Sequence, residues 1–278
     1  MESKIPLRSA MINLGLMIAL GFSLTVGAQE PKEGLTQPDV PPSSVNQETS
    51  SPISQPKREV SLEDRADIFM ARKAYADAVD YYRRAMREGR GSDPGLWNKL
   101  GIAYQQQLNY KGARQAYKKA IKFNKAYAEA WNNMGTTYYL QNKPKKSIRY
   151  YRQAIKLNPT SASFHVNLGT SLYKRKKIPE ALEEYRAALA LDPNVMTDRS
   201  SVGTVLQAQG ADPKFYFYLA KVFASLGRPA EAVRYLRRAF EDGFSNQKQL
   251  DEDPDFQKIS EYPAYVELRN NPPVPIKD

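Results

Sequence analysis

His165 is the only histidine of the chain, and there is no cysteine. One imidazole and no thiol rule out a disulfide, a thiolate nucleophile, a cysteine-ligated metal and a histidine dyad within one chain. A single imidazole could serve as a general base only beside a nucleophile or an orienting carboxylate. His165 stands in a register position that Trp97 and Trp131 fill elsewhere, so it reads as a packing residue. The acidic clusters Glu183-Glu184 and Asp251-Glu252-Asp253 are not paired with a nucleophile or a metal-ligand set. The first reads as a solvated helix face and the second as a loop or cap. No Gly-rich phosphate loop and no Gly-x-Ser-x-Gly elbow occurs. The sequence therefore supports no enzyme, no cofactor and no metal site, and the residues that remain are suited to binding.

Those residues fall in two groups. Asn98, Gln105, Asn132, Thr136, Tyr139, Thr170, Tyr173 and Lys174 lie one position beyond an apolar stripe or beside it. A one-residue offset is a rotation of about 100° around a helix. Asparagine offers both a donor and an acceptor, and tyrosine adds area with one hydrogen bond. That chemistry suits a peptide or helix laid along a groove. Asn133 and Asn167, one position further round, read as braces between neighbouring helices. The second group is cationic: Lys118, Lys119, Lys143, Lys145, Lys146, Arg149, Arg152 and the run Lys174-Arg175-Lys176-Lys177. Residues 94–195 hold 18 basic and 5 acidic residues, a net +13, whereas residues 241–278 hold 4 and 9, a net −5. Such charge keeps a protein soluble; its functional alternative is an anionic partner.

The elements that position these groups follow a fixed period. Leu96-Trp97-Asn98-Lys99-Leu100-Gly101 recurs 34 residues later as Ala130-Trp131-Asn132-Asn133-Met134-Gly135, and again as Phe164-His165-Val166-Asn167-Leu168-Gly169. A period of this size marks a helical repeat array. Trp97, Leu100, Gly101 and Tyr104 share one helix face, as do Trp131, Met134, Gly135 and Tyr138. A second helix follows each time, with Ala113/Tyr117/Ala120, Ser147/Tyr151/Ala154 and Ala181/Tyr185/Ala188 facing the first. Pro159 and Pro193 close two repeats. Pro144, Pro179 and Pro229 sit at second-helix starts, where a missing N–H costs little.

This pattern of Trp, Leu-Gly and Tyr, then Ala, Tyr and Ala, then a closing Pro, resembles the tetratricopeptide repeat family. It is strong at 94–127, 128–161 and 162–195, and weaker at 59–92 and 213–246. The resemblance implies an all-α superhelical solenoid of about five helix-turn-helix repeats, with the second stripe lining a concave groove. Some members clamp a C-terminal carboxylate with Lys and Asn, but Asn98 and Ile102 stand in those places, so that function is not carried over.

Outside the array, Lys4 and Arg8 precede an apolar run from Ala10 to Val26, and Val26-Gly27-Ala28 offers small residues for cleavage. Residues 1–28 thus read as a signal peptide for export to the periplasm or beyond. The alternative is an uncleaved membrane anchor. Residues 29–58 are a Pro/Ser/Gln-rich linker that would recover little burial on ordering. Residues 196–212 interrupt the period and read as an inserted loop or short extended segment. Residues 247–278 read as a cap and tail, with one capping helix over 255–269. The expected role is a non-enzymatic protein-interaction scaffold of the bacterial envelope with a protein or peptide partner. The rival is an electrostatic adaptor for anionic lipid, wall polymer or an acidic protein. No nucleic-acid partner is expected.

Overall fold

Every first helix of the array ends in the same turn, and that turn sets the fold. A computed structural model describes residues 60–196 and 212–275. The expected signal peptide, the linker and residues 197–211 of the expected insertion lie outside the described residues. Ten helices form five antiparallel pairs: α1 (Leu62–Ala71) with α2 (Tyr75–Ala85), α3 (Pro94–Gln106) with α4 (Tyr110–Phe123), α5 (Ala128–Leu140) with α6 (Pro144–Leu157), α7 (Ala162–Lys174) with α8 (Ile178–Leu191), and α9 (Pro213–Ser225) with α10 (Pro229–Glu241). Among the described residues there is no strand, and no helix is long and apolar enough to cross a membrane.

In each pair one residue turns left-handed: Lys73, Leu108, Asn142, Lys176 and Gly227, with φ of 60°, 60°, 56°, 60° and 67°. The third N–H beyond each first helix then reaches back five residues, as from Asn109 to Tyr104 O (2.9 Å) and from Lys143 to Tyr138 O (2.9 Å). This satisfies a carbonyl that the helix end leaves unpaired. Glycine or asparagine suits such a turn, but Lys73, Leu108 and Lys176 carry a Cβ there at some cost. Starts are specified as clearly. Asp93, Asn109 and Asp212 accept backbone N–H groups at the heads of α3, α4 and α9. Proline opens or nearly opens α3, α6, α8, α9 and α10.

The two helices of a pair approach closely because a ring lies where a side chain is missing. A Cβ added at Gly101, Gly135 or Gly169 would stand 2.4, 2.7 or 2.6 Å from the ring of Tyr117, Tyr151 or Tyr185. All three tyrosines are completely buried. Each second helix also packs on the next first helix, α2 on α3, α4 on α5 and α6 on α7, so the pairs stack in chain order.

The array ends differently from its expected single helix over 255–269. Residues 247–270 form three short helices, α11 (Gln247–Glu252), α12 (Pro254–Gln257) and α13 (Pro263–Asn270). Pro254 and Pro263 can each begin a helix but cannot continue one, so the chain is broken at both. Phe256 of α12 lies 5.4 Å from Phe217 of α9 and 6.1 Å from Tyr265 of α13, ring centre to ring centre. The acidic stretch expected in a loop or cap is anchored here. Asp253 is 9% exposed and accepts from Lys221 Nζ at 2.7 Å. Arg186 and Lys221 also face Asp255 at 3.7 and 3.6 Å.

Candidate partner-binding surface

The three positions Trp97-Asn98-Lys99 and their equivalents define the first-helix surface of the second to fourth repeats. The first is a ring position. Trp97 Nε1 donates to Gly91 O (2.7 Å), Trp131 Nε1 to Lys125 O (3.0 Å), and His165 Nε2 faces Pro159 O (3.2 Å). In each case a ring N–H meets a carbonyl six residues back, at the close of the preceding repeat. His165 adds a second contact, with Nδ1 2.7 Å from a Glu184 carboxylate oxygen. A carboxylate and a carbonyl are both acceptors, so the geometry is complete only when both ring nitrogens carry protons. The Glu184 hydrogen bond raises the His165 pKa above the ordinary histidine value, against the opposing effect of burial. Glu184 is therefore not simply solvated, although Glu183 beside it is exposed.

The second and third positions form a ladder between successive first helices. Lys99 reaches Glu63 (2.8 Å), Asn133 Nδ2 donates to Asn98 Oδ1 (3.0 Å), and Asn167 Nδ2 donates to Asn132 Oδ1 (2.9 Å). The rungs start as an ion pair and continue as amide pairs. Between the fourth and fifth pairs the equivalent places hold Val166 and Tyr218, which cannot form an amide pair. The Asn132 amide also donates to Asn133 Oδ1 (3.2 Å). Val166 replaces that donor one repeat later, and Asn167 Oδ1 is buried without a partner. Loss of the amide donor at Val166 accounts for the orphaned acceptor.

A turn further along, each buried tyrosine of a second helix finds a polar group on the first. Tyr82 OH donates to Asp67 (2.5 Å), Tyr151 OH to Thr136 (3.0 Å) and Tyr185 OH to Thr170 (3.2 Å). Ile102 fills that position in the second repeat, and Tyr117 OH turns to Gln105 Oε1 (3.4 Å), which also accepts from Thr137 (2.9 Å). Burial pushes the Tyr151 phenol well above its ordinary pKa, partly countered by the Thr136 hydrogen bond. Burial pushes Tyr139 up to about 12. These phenols remain donors at any physiological pH.

The expected groove stripe is mostly buried. Asn98, Gln105, Asn132, Thr136, Tyr139, Thr170 and Tyr173 are all 9% exposed or less. Apart from Tyr139 and Tyr173, their side chains join successive helices of the array to one another. Tyr173 OH donates to Asp212, the cap of α9, at 2.8 Å. A rotation of 100° is too small to leave a stack of close first helices, because the neighbouring first helix covers that flank. Lys174 alone of the set is exposed, with Nζ 4.7 Å above the Tyr139 ring.

An open cleft lies elsewhere, between α5 and α6 of the third repeat. It encloses about 600 Å³ and is lined by Trp131, Tyr138, Lys146, Arg149, Tyr150, Arg152 and Gln153. Tyr138 and Tyr150 stack with centres 5.2 Å apart, and Trp131 lies 6.0 Å from Tyr150. Arg114 and Lys146 stand 5.5 and 5.6 Å from the centre of the Tyr138 ring. Cations over aromatic faces are favourable and leave their charge available at an exposed site. The second repeat has a smaller cleft of about 300 Å³ at Trp97 and Tyr104. The sequence showed the parts of the large cleft: two aromatic residues on one face of α5, a third on α6, and a basic run. The register places Tyr151 inward, as found, but it does not single out Tyr150, whose stacking on Tyr138 beside Trp131 emerges only from the structure. Among the described residues no group of acidic and histidine side chains could hold a metal ion.

Models of the tetratricopeptide repeat match residues 128–161, 162–195 and 199–246, and a TPR repeat model matches 109–142. The chain carries tetratricopeptide repeats, folded as an all-helical solenoid. Among solved structures it is similar to "Crystal structure of MamA", at 19% identity over 64% of this chain and 93% of that one, TM-score 0.45. It is also similar to MamA 41-end from Desulfovibrio magneticus RS-1, at 16% identity over 65% and 92%, TM-score 0.46. A third is "Crystal structure of YrrB: a TPR protein with an unusual peptide-binding site", at 17% identity over 68% and 89%, TM-score 0.44. No protein of curated function matches the sequence.

Proposed function

We propose that the chain is a non-enzymatic interaction scaffold of the bacterial envelope that holds a peptide or protein segment against its repeats. The observation that carries this reading is the side-chain ladder joining α1, α3, α5 and α7. It fixes successive first helices in register without any ligand, and a surface ordered in advance binds without a further ordering cost. Lys174 stands at the lip of that surface. Export is supported by the basic, apolar and small-residue sequence of residues 1–28, and an envelope partner follows from it. The test is photo-crosslinking of the purified chain, labelled at position 174, in an envelope extract. Discrete protein adducts that a heat-unfolded control lacks are expected. Adducts no more abundant than with the control would contradict the scaffold.

The second reading is an electrostatic adaptor for anionic lipid, wall polymer or acidic protein. It is favoured by the exposed Lys118, Lys119, Lys143, Lys145 and Lys156, none of which forms an ion pair among the described residues. Exposed charge contacts are screened within a Debye length of about 8 Å at physiological salt. Adducts that persist unchanged in about 0.5 M salt would remove this alternative.

A further inference from the structure

Compare what occupies the cleft position in the third and fourth repeats. In the fourth, Glu184 stands where Tyr150 stands in the third, and its carboxylate closes onto the ring position at His165 (2.7 Å). Glu180 stands where Lys146 stands, and there it accepts from Lys177 (2.6 Å) and from Arg152 of α6 (3.1 Å). The fourth repeat supplies its own carboxylates at these positions. The third has rings and cations at the same positions and no carboxylate. Lys146 and Arg149 are exposed and form no ion pair among the described residues. The rings of Trp131, Tyr138 and Tyr150 are only partly covered.

We infer that the cleft between α5 and α6 is a docking site for an acidic protein segment, one that sets an apolar side chain on the rings and a carboxylate on Lys146 and Arg149. The carboxylate takes the place that Glu180 and Glu184 fill in the next repeat. The apolar side chain covers the Trp131 and Tyr150 faces, and Gln153 offers a donor and an acceptor to the segment's backbone. The volume of about 600 Å³ falls within the range of built ligand pockets and holds one large side chain with its flanking backbone. Anionic lipid would meet the cations but has no use for a recessed three-ring face flanked by an amide. This inference rests on the scaffold reading and names where the partner is held.

The chain has two tryptophans, so Trp97→Phe leaves Trp131 as the only indole reporter in the cleft. The probe is a synthetic Asp-Glu-Phe-Glu-Asp peptide, with Asn-Gln-Phe-Gln-Asn as its uncharged counterpart. The acidic peptide should change Trp131 emission saturably below about 1 mM, at least tenfold more tightly than the amide peptide. Lys146→Glu with Arg149→Glu should weaken it at least tenfold while the helical melting curve is retained. Equal binding of both peptides, absence of saturation, or indifference to the double substitution would overturn the inference. So would phosphatidylglycerol vesicles or an anionic polysaccharide that displaces the peptide at a lower charge concentration than the peptide itself. Envelope adducts that persist in the double variant would leave the scaffold standing while the cleft falls. Adducts absent from the unaltered chain would strike the scaffold alone.

Discussion

The third and fourth repeats share a backbone plan and spend their side chains oppositely. Both bury a tyrosine against a glycine, Tyr151 on Gly135 and Tyr185 on Gly169, and both satisfy its hydroxyl with a threonine. Around that common core, the third repeat completes its amide ladder and leaves a cationic aromatic cleft open. The fourth breaks the ladder at Val166, orphans Asn167 Oδ1, and pairs His165 with Glu184 where the third has Trp131 and Tyr150. Positions that face the partner helix of the same hairpin hardly vary, because ring and glycine must fit together. Positions at the lip vary freely, because only solvent or a ligand constrains them.

The largest effects should come from the shared core. Gly135→Ala and Gly169→Ala each insert a methyl group within about 2.7 Å of a tyrosine ring, and overpacking of this kind costs roughly 1–3 kcal/mol. The two substitutions should cost about the same, since the nearest ring atoms lie 2.7 Å from the new Cβ at Gly135 and 2.6 Å at Gly169. Thermal melts of the two variants check this, and a loss at only one of them would show that the two cores are not packed alike. Next is the ladder. Asn132→Leu leaves the buried Asn167 amide without an acceptor, at about 1–2 kcal/mol. Adding Asn167→Leu should restore part of that loss, because the Asn167 amide is then no longer buried without an acceptor, although Asn133 Oδ1 still lacks the Asn132 donor. A double variant weaker than the single by the full extra amount would break the ladder account.

Smaller still is the His165–Glu184 pair of the fourth repeat. The Glu184 carboxylate raises the His165 pKa in the folded chain. A raised pKa contributes stability that is full below the ordinary histidine value, about 6.5, and is lost as pH rises through the folded value. Glu184→Gln should therefore lower the melting temperature near pH 5.5 and barely move it near pH 8.5, with a difference of about 0.5 kcal/mol after solvent screening. As the only histidine, His165 gives an unambiguous proton NMR titration, and an unshifted pKa would remove the pair. The smallest effect is at a turn both repeats share with the second: Leu108→Gly relieves a left-handed leucine and should raise stability by about 0.5 kcal/mol.

The period, the helix pairs, the buried tyrosines and the proline starts could be read from the residues, because each is a local rule repeated at one spacing. The left-handed turn went unseen because Lys73, Leu108 and Lys176 give no glycine signal there. The site residues were less legible. Asn132 carries the chemistry of a groove contact and of a helix brace alike, and only the 2.9 Å approach of Asn167 decides between them. Tyr151 is placed inward by the register, but its neighbour Tyr150 has no counterpart tyrosine in the fourth repeat, so nothing periodic marks it as a cleft residue. The break at Pro254 and Pro263 shows the same limit. The apolar positions of 255–269 have helical spacing, yet two prolines divide them between separate short helices.

The most direct test converts one cleft into the other. Trp131→His with Tyr150→Glu gives the third repeat the ring and carboxylate of the fourth. Isothermal titration of the acidic peptide into this variant should show binding lost, with a second histidine titrating above its ordinary value. Undiminished binding in a variant that forms that pair would contradict the claim that the open rings of the third repeat are what the partner occupies.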